Sequence, residues 1–236
     1  MKLNKPCENN FPNVDYIGVA LRRYGGNQNH IAILFKPNEL EDEIMLLHVG
    51  SHKGDLLEEP SNKYLWIDLG KAFHPIRKQV ILASIQQIAE KNSKSKVRYG
   101  LDHGVYCLDP ETGMLNENYD QKIGFTCATF VVEVFLSVGI KLIDWDTWPS
   151  SGEKHIEFQK KVFSYLESEH AKDSNNVTVE YLKAQSKNIG KARFLPEEIA
   201  AATQEIKEST KLEVEPLAAY INEGLTYYSE YLMQQR

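Results

Sequence analysis

The sequence contains no apolar run of the roughly 20 residues that a helix needs to cross a bilayer. It is also poor in cysteine: the three cysteines, at positions 7, 107 and 127, form no metal-type pair, and an odd number makes a poor disulfide framework. The first residues, MKLNKPCENNFPNVDYIG, lack the apolar segment of a signal peptide. We therefore expect a soluble cytoplasmic chain with free thiols and no transmembrane segment.

Charge of one sign is not concentrated anywhere in the chain. The 27 basic and 33 acidic residues give a formal net charge of −6, and the basic residues are scattered, which argues against a nucleic-acid partner. There is no internal repeat, low-complexity tract or Gly/Ser linker. With 42% hydrophobic and 25% charged residues, the composition is that of a folded globular protein.

Residue patterns predict a sheet first and helices later, which is an α+β fold class. Strands are expected in YIGVALRRY and QNHIAILFK around a Gly25-Gly26 turn, in EIMLLHVGS, in KYLWIDLG and in NVTVEYLKAQ. Helices are expected from Pro75, with a buried stripe at 76, 80, 81, 85 and 88, from Cys127, over 153–169, from Pro196 and from near Pro216. Residues 97–123 are predicted to form an irregular connection with one short hairpin. We divide the chain into 1–170 and a mixed C-terminal extension, 171–236, packed on it, with a single domain as the alternative.

The stretch GFTCATFVVEVFLSVGI places a cysteine at the start of a helix. Apolar side chains at 130, 131, 134, 135 and 138 form one face, and Gly139 is a plausible C-terminal stop. Thr126 is expected to cap the helix, so that Cys127 lies in the first turn, where free N–H groups and the helix dipole stabilise a thiolate. Such a position is what a thiolate nucleophile with a lowered pKa requires. The alternative is that Cys127 only fills space in the core.

Two histidines lie on strands that we expect to be neighbours. A hairpin loop centred on Glu39 places His30 opposite His48, on a face shared with Ala32 and Leu34. If the Cys127 helix packs on that face, one histidine can act as base to the thiol while the other orients it.

Other roles for the histidines are possible. The pair could bind a metal with Cys127 or Asp55, but no ligand spacing supports that site. The remaining histidines, at 52, 74, 103, 155 and 170, are expected on the surface.

The order of NHIAILF, LLHVGS and GFTCATFVVEVF resembles the circularly permuted papain-fold families, namely the lecithin retinol acyltransferase-like proteins and the permuted relatives of NlpC-type cell-wall peptidases. The resemblance covers about residues 15 to 140 and implies a papain-like antiparallel sheet packed against the cysteine helix. It implies Cys127 as nucleophile, His30 as base and His48 as orienting residue. Tyr99 is similar to a tyrosine that lines the site in cell-wall peptidases, and we assign Tyr99 and Thr126 to substrate binding.

The resulting functional hypothesis is a cysteine hydrolase of the amidase or peptidase type, which works through a covalent thioester and needs no cofactor or metal. Its substrate would be a peptide or acyl compound, for example one derived from peptidoglycan. An acyltransferase or a lipid or thioester hydrolase on the same fold is the first alternative, and a catalytically inactive binding module is the second. An effector delivered to another cell's wall by a specialised secretion system also fits the resemblance.

Overall fold

A computed structural model describes residues 2–25, 28–38, 43–50, 56–92, 97–103, 106–116 and 122–235. Four features named above lie outside these residues: Gly26 of the first turn, Glu39 at the centre of the second loop, His52 and Asp55.

The described residues form an α+β structure, as the sequence predicts. Five antiparallel strands pair in the order β4-β3-β2-β1-β5, and two short parallel strands, β6 and β7, form a second sheet. The strands are β1 (Ile17–Tyr24), β2 (Gln28–Phe35), β3 (Met45–Leu47), β4 (Leu57–Glu58), β5 (Leu65–Asp68), β6 (Arg98–Asp102) and β7 (Gly124–Phe125). The helices are α1 (Pro75–Lys91), α2 (Cys127–Ser137), α3 (Glu153–Lys172), α4 (Val179–Ser186), α5 (Pro196–Glu205) and α6 (Lys211–Gln234). Among the described residues, we find no helix with an apolar stretch sufficient to span a bilayer.

The two faces of the five-stranded sheet bury different sets of side chains because successive residues of a strand point to opposite sides. One face carries Ala20, Ala32, Leu34, Leu46 and Trp66 and is covered in part by Phe11. The other face belongs to the main core, with side chains from α1, α2, α5 and α6. The main core includes Val19, Leu21, Ile31, Ile33, Phe35, Ile85, Phe130, Val131, Phe135, Ile199, Ile221 and Leu225.

The pairing of β2 with β3 differs from the predicted register by two residues. Ile33 lies opposite Leu47, whereas a loop centred on Glu39 would put it opposite Met45. A shift of two residues keeps every side chain on the same face, since the side-chain period of a strand is two. His30 and His48 therefore share a face, but they are not directly opposite each other.

The expectation that α2 packs on the histidine face is wrong. Phe130, Val131 and Phe135 pack in the main core with Ile31 and Ile33, on the other side of the sheet. The histidine face is instead covered by the N-terminal segment through Phe11 and Val14.

Several predicted elements change type or limits. The segment NVTVEYLKAQ contains a helix, because Thr178 caps it by accepting a hydrogen bond from the N–H of Tyr181, and Tyr181 and Gln185, one turn apart, are both buried. No strand is present in the described part of 171–236, so the extension is helical and not mixed. Helix α6 begins at Lys211, where Thr210 caps it, and Pro216 lies inside it.

Two further differences concern the middle of the chain. The buried face of α1 comprises Ile81, Leu82, Ile85 and Ile88, while the side chains of Ile76 and Val80 are exposed. The connection over 97–123 contains strand β6, and the expected hairpin is a single isolated bridge between Leu108 and Leu115.

Candidate active site

Helix α2 begins where the sequence predicts, and Cys127 is its first residue. The Thr126 hydroxyl accepts a hydrogen bond of 3.1 Å from the N–H of Thr129, and the Thr129 hydroxyl accepts one of 2.9 Å from the N–H of Thr126. This reciprocal capping fixes the first turn, which presents its free N–H groups around the Cys127 side chain.

A cavity of about 400 Å³ brings most of the predicted site residues together. Cys127, Thr126, Tyr99 and His30 all line it. The Cys127 side chain is partly exposed, and the cavity is where it is reached. His48 is hydrogen-bonded to His30 but does not line the cavity.

His30, His48 and Glu58 form a line that leads away from the cavity. The Nε2 atom of His30 and the Nδ1 atom of His48 are joined by a hydrogen bond of 3.0 Å. The Nε2 atom of His48 lies 3.0 Å from Oε2 of Glu58, at an angle outside hydrogen-bond geometry. Both histidines are 6% exposed, while the Glu58 side chain is partly open to solvent.

This arrangement favours one tautomer of each neutral ring. An ionised carboxylate accepts hydrogen bonds only, so the close approach of Glu58 favours a proton on Nε2 of His48. Nδ1 of His48 then accepts from Nε2–H of His30. It follows that Nδ1 of His30 is left without a proton and is able to take one from a thiol.

The electrostatic surroundings keep both imidazoles neutral. Burial lowers the pKa of His30 from 6.5 to about 3, and the neighbouring His48 and Arg22 act in the same direction. Burial also lowers the pKa of His48, and Arg22 adds to this, while Glu58 opposes the change. Arg22 lies opposite His30 on β1, and its guanidinium Cζ is 5.0 Å from the centre of the Tyr64 ring.

The pKa of Cys127 departs from the prediction. Burial raises it above the ordinary thiol value, and the backbone N–H groups of Ile31 and Ala128 and the charge of Arg193 only partly offset that rise. The N–H groups at the helix start lower the pKa of the sulfur, as expected, but desolvation raises that pKa by more. At neutral pH the Cys127 thiol and the His30 imidazole are therefore both uncharged.

Cys127 and His30 line the same cavity without a direct bond. Among the described side chains, no hydrogen bond joins the Cys127 sulfur to the His30 ring. Cys127 and His30 thus share a cavity with Thr126 and Tyr99, and the contact between sulfur and ring nitrogen that the sequence predicts is not formed.

Two residues that sequence reasoning missed are important here. Glu58 comes from the two-residue strand β4, and nothing in its local sequence indicates that it faces His48. Arg193 lines the cavity from the segment before α5, where it is far in sequence from the motifs that define the site. His103, His155 and His170, expected on the surface, are half-buried, whereas His74 is exposed.

No group of three or more His, Cys, Asp or Glu side chains in the described ranges is arranged to hold a metal ion. The alternative site with Asp55 involves a residue outside those ranges.

Searches with this chain find no matching family model, no matching curated protein and no matching solved structure.

Proposed function

We propose that the protein is a cysteine-dependent amidase or peptidase with a circularly permuted papain-like fold. The observation that carries this proposal is that Cys127, at the start of α2, and His30, near the start of β2, line one cavity, although the body of α2 packs on the other face of the sheet. The His30 ring is also hydrogen-bonded to His48. The order of base strand, orienting strand and nucleophile helix is the order of the families that the sequence resembles. Helix α2 packs on a five-stranded antiparallel sheet, which supports the proposed fold.

The proposed reaction begins from the neutral pair. Nδ1 of His30 takes the proton of the Cys127 thiol while the sulfur attacks the carbonyl carbon of an amide. The backbone N–H of Cys127 stabilises the oxyanion of the tetrahedral intermediate. His30 then gives its proton to the leaving amine, and the carbon–nitrogen bond breaks to leave a thioester on Cys127. Water, deprotonated by His30, hydrolyses the thioester and restores the thiol.

His48 and Glu58 act in this scheme as positioning residues. They hold the His30 ring and stabilise the imidazolium that forms when it takes the thiol proton. Burial disfavours the His30 imidazolium. The negative charge of Glu58 at the end of the line opposes that effect and so supports transfer of the thiol proton to His30. We therefore expect Glu58 to affect turnover more than substrate binding.

The test is to trap the acyl enzyme. Wild type is incubated with peptidoglycan stem peptides, isopeptide-linked peptides and acyl thioesters, and the mass added to the intact protein identifies the acyl group. The adduct should form on Cys127, should be absent in Cys127→Ala, and should form in Cys7→Ala, a matched control at an exposed cysteine. Turnover should fall by a factor of about 100 or more in His30→Ala and by less in His48→Gln.

Other outcomes distinguish the alternatives. A thioester that reacts with an added amine or alcohol faster than with water would identify a transferase. If no substrate class acylates Cys127, and Cys127→Ala melts far below wild type, the cysteine is a packing residue and the hydrolase proposal fails.

A further inference from the structure

The cavity is positively charged although the chain is acidic. None of its lining residues in the described part of the chain is Asp or Glu, whereas Lys161 and Arg193 both line it. The whole chain has a formal net charge of −6, so the charge at the cavity has the opposite sign to that of the whole chain. Fixed charge of one sign in a concave site favours a ligand of the opposite sign.

Arg193 is presented with its hydrogen-bonding capacity unused. Its guanidinium Cζ lies 3.6 Å from the centre of the Phe158 ring, so that it stacks on an aromatic wall of the cavity. Within the described residues its side chain makes no hydrogen bond and no ion pair with a carboxylate. The N–H donors of the Arg193 guanidinium are therefore available to a ligand that accepts two parallel hydrogen bonds.

The nearest carboxylates have other partners. Glu198 accepts hydrogen bonds from Nε1 of Trp148 and the N–H of Leu195, and it pairs with Lys211. Glu197 accepts a hydrogen bond of 2.9 Å from Nδ2 of Asn29. Burial lowers the pKa of Arg193, and the charges of both carboxylates oppose that change, but neither forms an ion pair with it.

The backbone just before Arg193 is held in place by hydrogen bonds. The carbonyl of Lys191 accepts hydrogen bonds of 2.6 Å from the Ser151 hydroxyl and 3.0 Å from Nε2 of Gln159. The Gln159 side chain is buried and also accepts a bond of 2.8 Å from the N–H of Gly190. A binding group on a fixed segment loses little freedom when it meets its ligand.

We propose that the cavity binds a substrate with a free carboxylate close to the carbonyl that Cys127 attacks, and that Arg193 binds this carboxylate in bidentate fashion. This inference deepens the proposed hydrolase function and rests on it. Lys161, exposed at the rim, adds attraction for the same group. The substrate class is then an acyl compound that ends in, or branches to, a carboxylate, such as a short peptide with a free acidic group.

A pair of alkylating reagents tests the inference without knowledge of the substrate. Iodoacetate and iodoacetamide both react with a thiolate by forming a sulfur–carbon bond and releasing iodide, but only iodoacetate carries a carboxylate. The measured quantity is the rate of Cys127 modification by iodoacetate divided by that by iodoacetamide, at one pH, from peptide mass spectrometry. The same ratio for exposed Cys7 in the same chain serves as reference.

In wild type we expect the Cys127 ratio to exceed the Cys7 ratio by about tenfold, the factor that corresponds to 1.4 kcal/mol. Arg193→Gln should reduce the Cys127 ratio to about the Cys7 value, and Arg193→Lys should keep only part of the preference. Lys160→Gln removes one charge from an exposed position on the same helix as Lys161 and outside the cavity lining, and it should leave the ratio unchanged.

The carboxylate inference is overturned if the wild-type ratios of Cys127 and Cys7 are equal, or if Arg193→Gln and Lys160→Gln behave alike. Melting temperatures of the variants, followed by circular dichroism, show that each is folded, and Arg193→Lys replaces Arg193→Gln if the latter is not. Failure of the hydrolase proposal gives a different result, since no acyl enzyme forms on Cys127 with any substrate, whatever the alkylation ratio.

Discussion

Burial of neutral His30 predicts a specific loss of stability in acid. The pKa of His30 is 6.5 in an unfolded chain and about 3 in the folded protein. Between these values the unfolded state binds one more proton than the folded state, so the free energy of unfolding falls as the pH falls. The slope is about 1.4 kcal/mol per pH unit, and the total over the window is roughly 5 kcal/mol. Above about pH 6.5 the group contributes no pH dependence.

Urea unfolding of wild type and His30→Gln, measured between about pH 7.5 and about pH 4.5, isolates this contribution. Glutamine keeps a hydrogen-bonding group next to His48 but does not titrate, so the variant should lose stability less steeply in acid, by about 1.4 kcal/mol per pH unit. His74→Gln, at an exposed histidine, should follow the wild-type slope. Equal slopes for wild type and His30→Gln would refute the argument that His30 is buried as a neutral imidazole.

Three further predictions concern the residues around Cys127. Because the pKa of Cys127 is raised, its reaction with iodoacetamide should be slower than that of Cys7 near neutral pH and should still accelerate above pH 9; a plateau below pH 8 would contradict this. Thr126→Ala should lower the free energy of unfolding by about 1 kcal/mol through loss of the helix cap, and Thr126→Ser should restore most of it in the same denaturation assay. Gly124→Ala places a methyl group 1.8 Å from the Tyr181 hydroxyl and 2.8 Å from the Gly100 Cα, and should destabilise by about 1–3 kcal/mol, whereas Gly25→Ala, with nothing within 4 Å, should change stability little.

Short-range patterns account for the parts of the fold that the sequence predicts correctly. The β1–β2 hairpin, the helix at Pro75 and the capped start of α2 are each encoded within about ten residues, as apolar periodicity or as a cap. The shared face of His30 and His48 is also predicted correctly, because a register error of two residues does not change the face.

Long-range packing accounts for the features of the fold and of the site that short-range patterns do not predict. The segment around Tyr181 has the alternation of a strand, but the Thr178 cap and burial of both Tyr181 and Gln185 select a helix. The raised pKa of Cys127 reflects desolvation by segments distant in sequence, which a helix-start motif does not reveal. Arg193 and Glu58 join the site through tertiary contacts alone.

The C-terminal helices position the base of the proposed reaction as well as covering the core. Asn29, the residue before His30, donates from Nδ2 to Glu197 of α5 at 2.9 Å and to Asn222 of α6 at 3.0 Å. The neighbouring strand is tied to α6 in the same way, since Arg23 donates to Asn222 and to Thr226. These bonds fix the backbone at the cavity end of β1 and β2, where His30 must keep its orientation relative to Cys127. A segment that shares no motif with the resembled families therefore contributes to the geometry of the site, and its loss would disturb His30 even if the sheet remained folded.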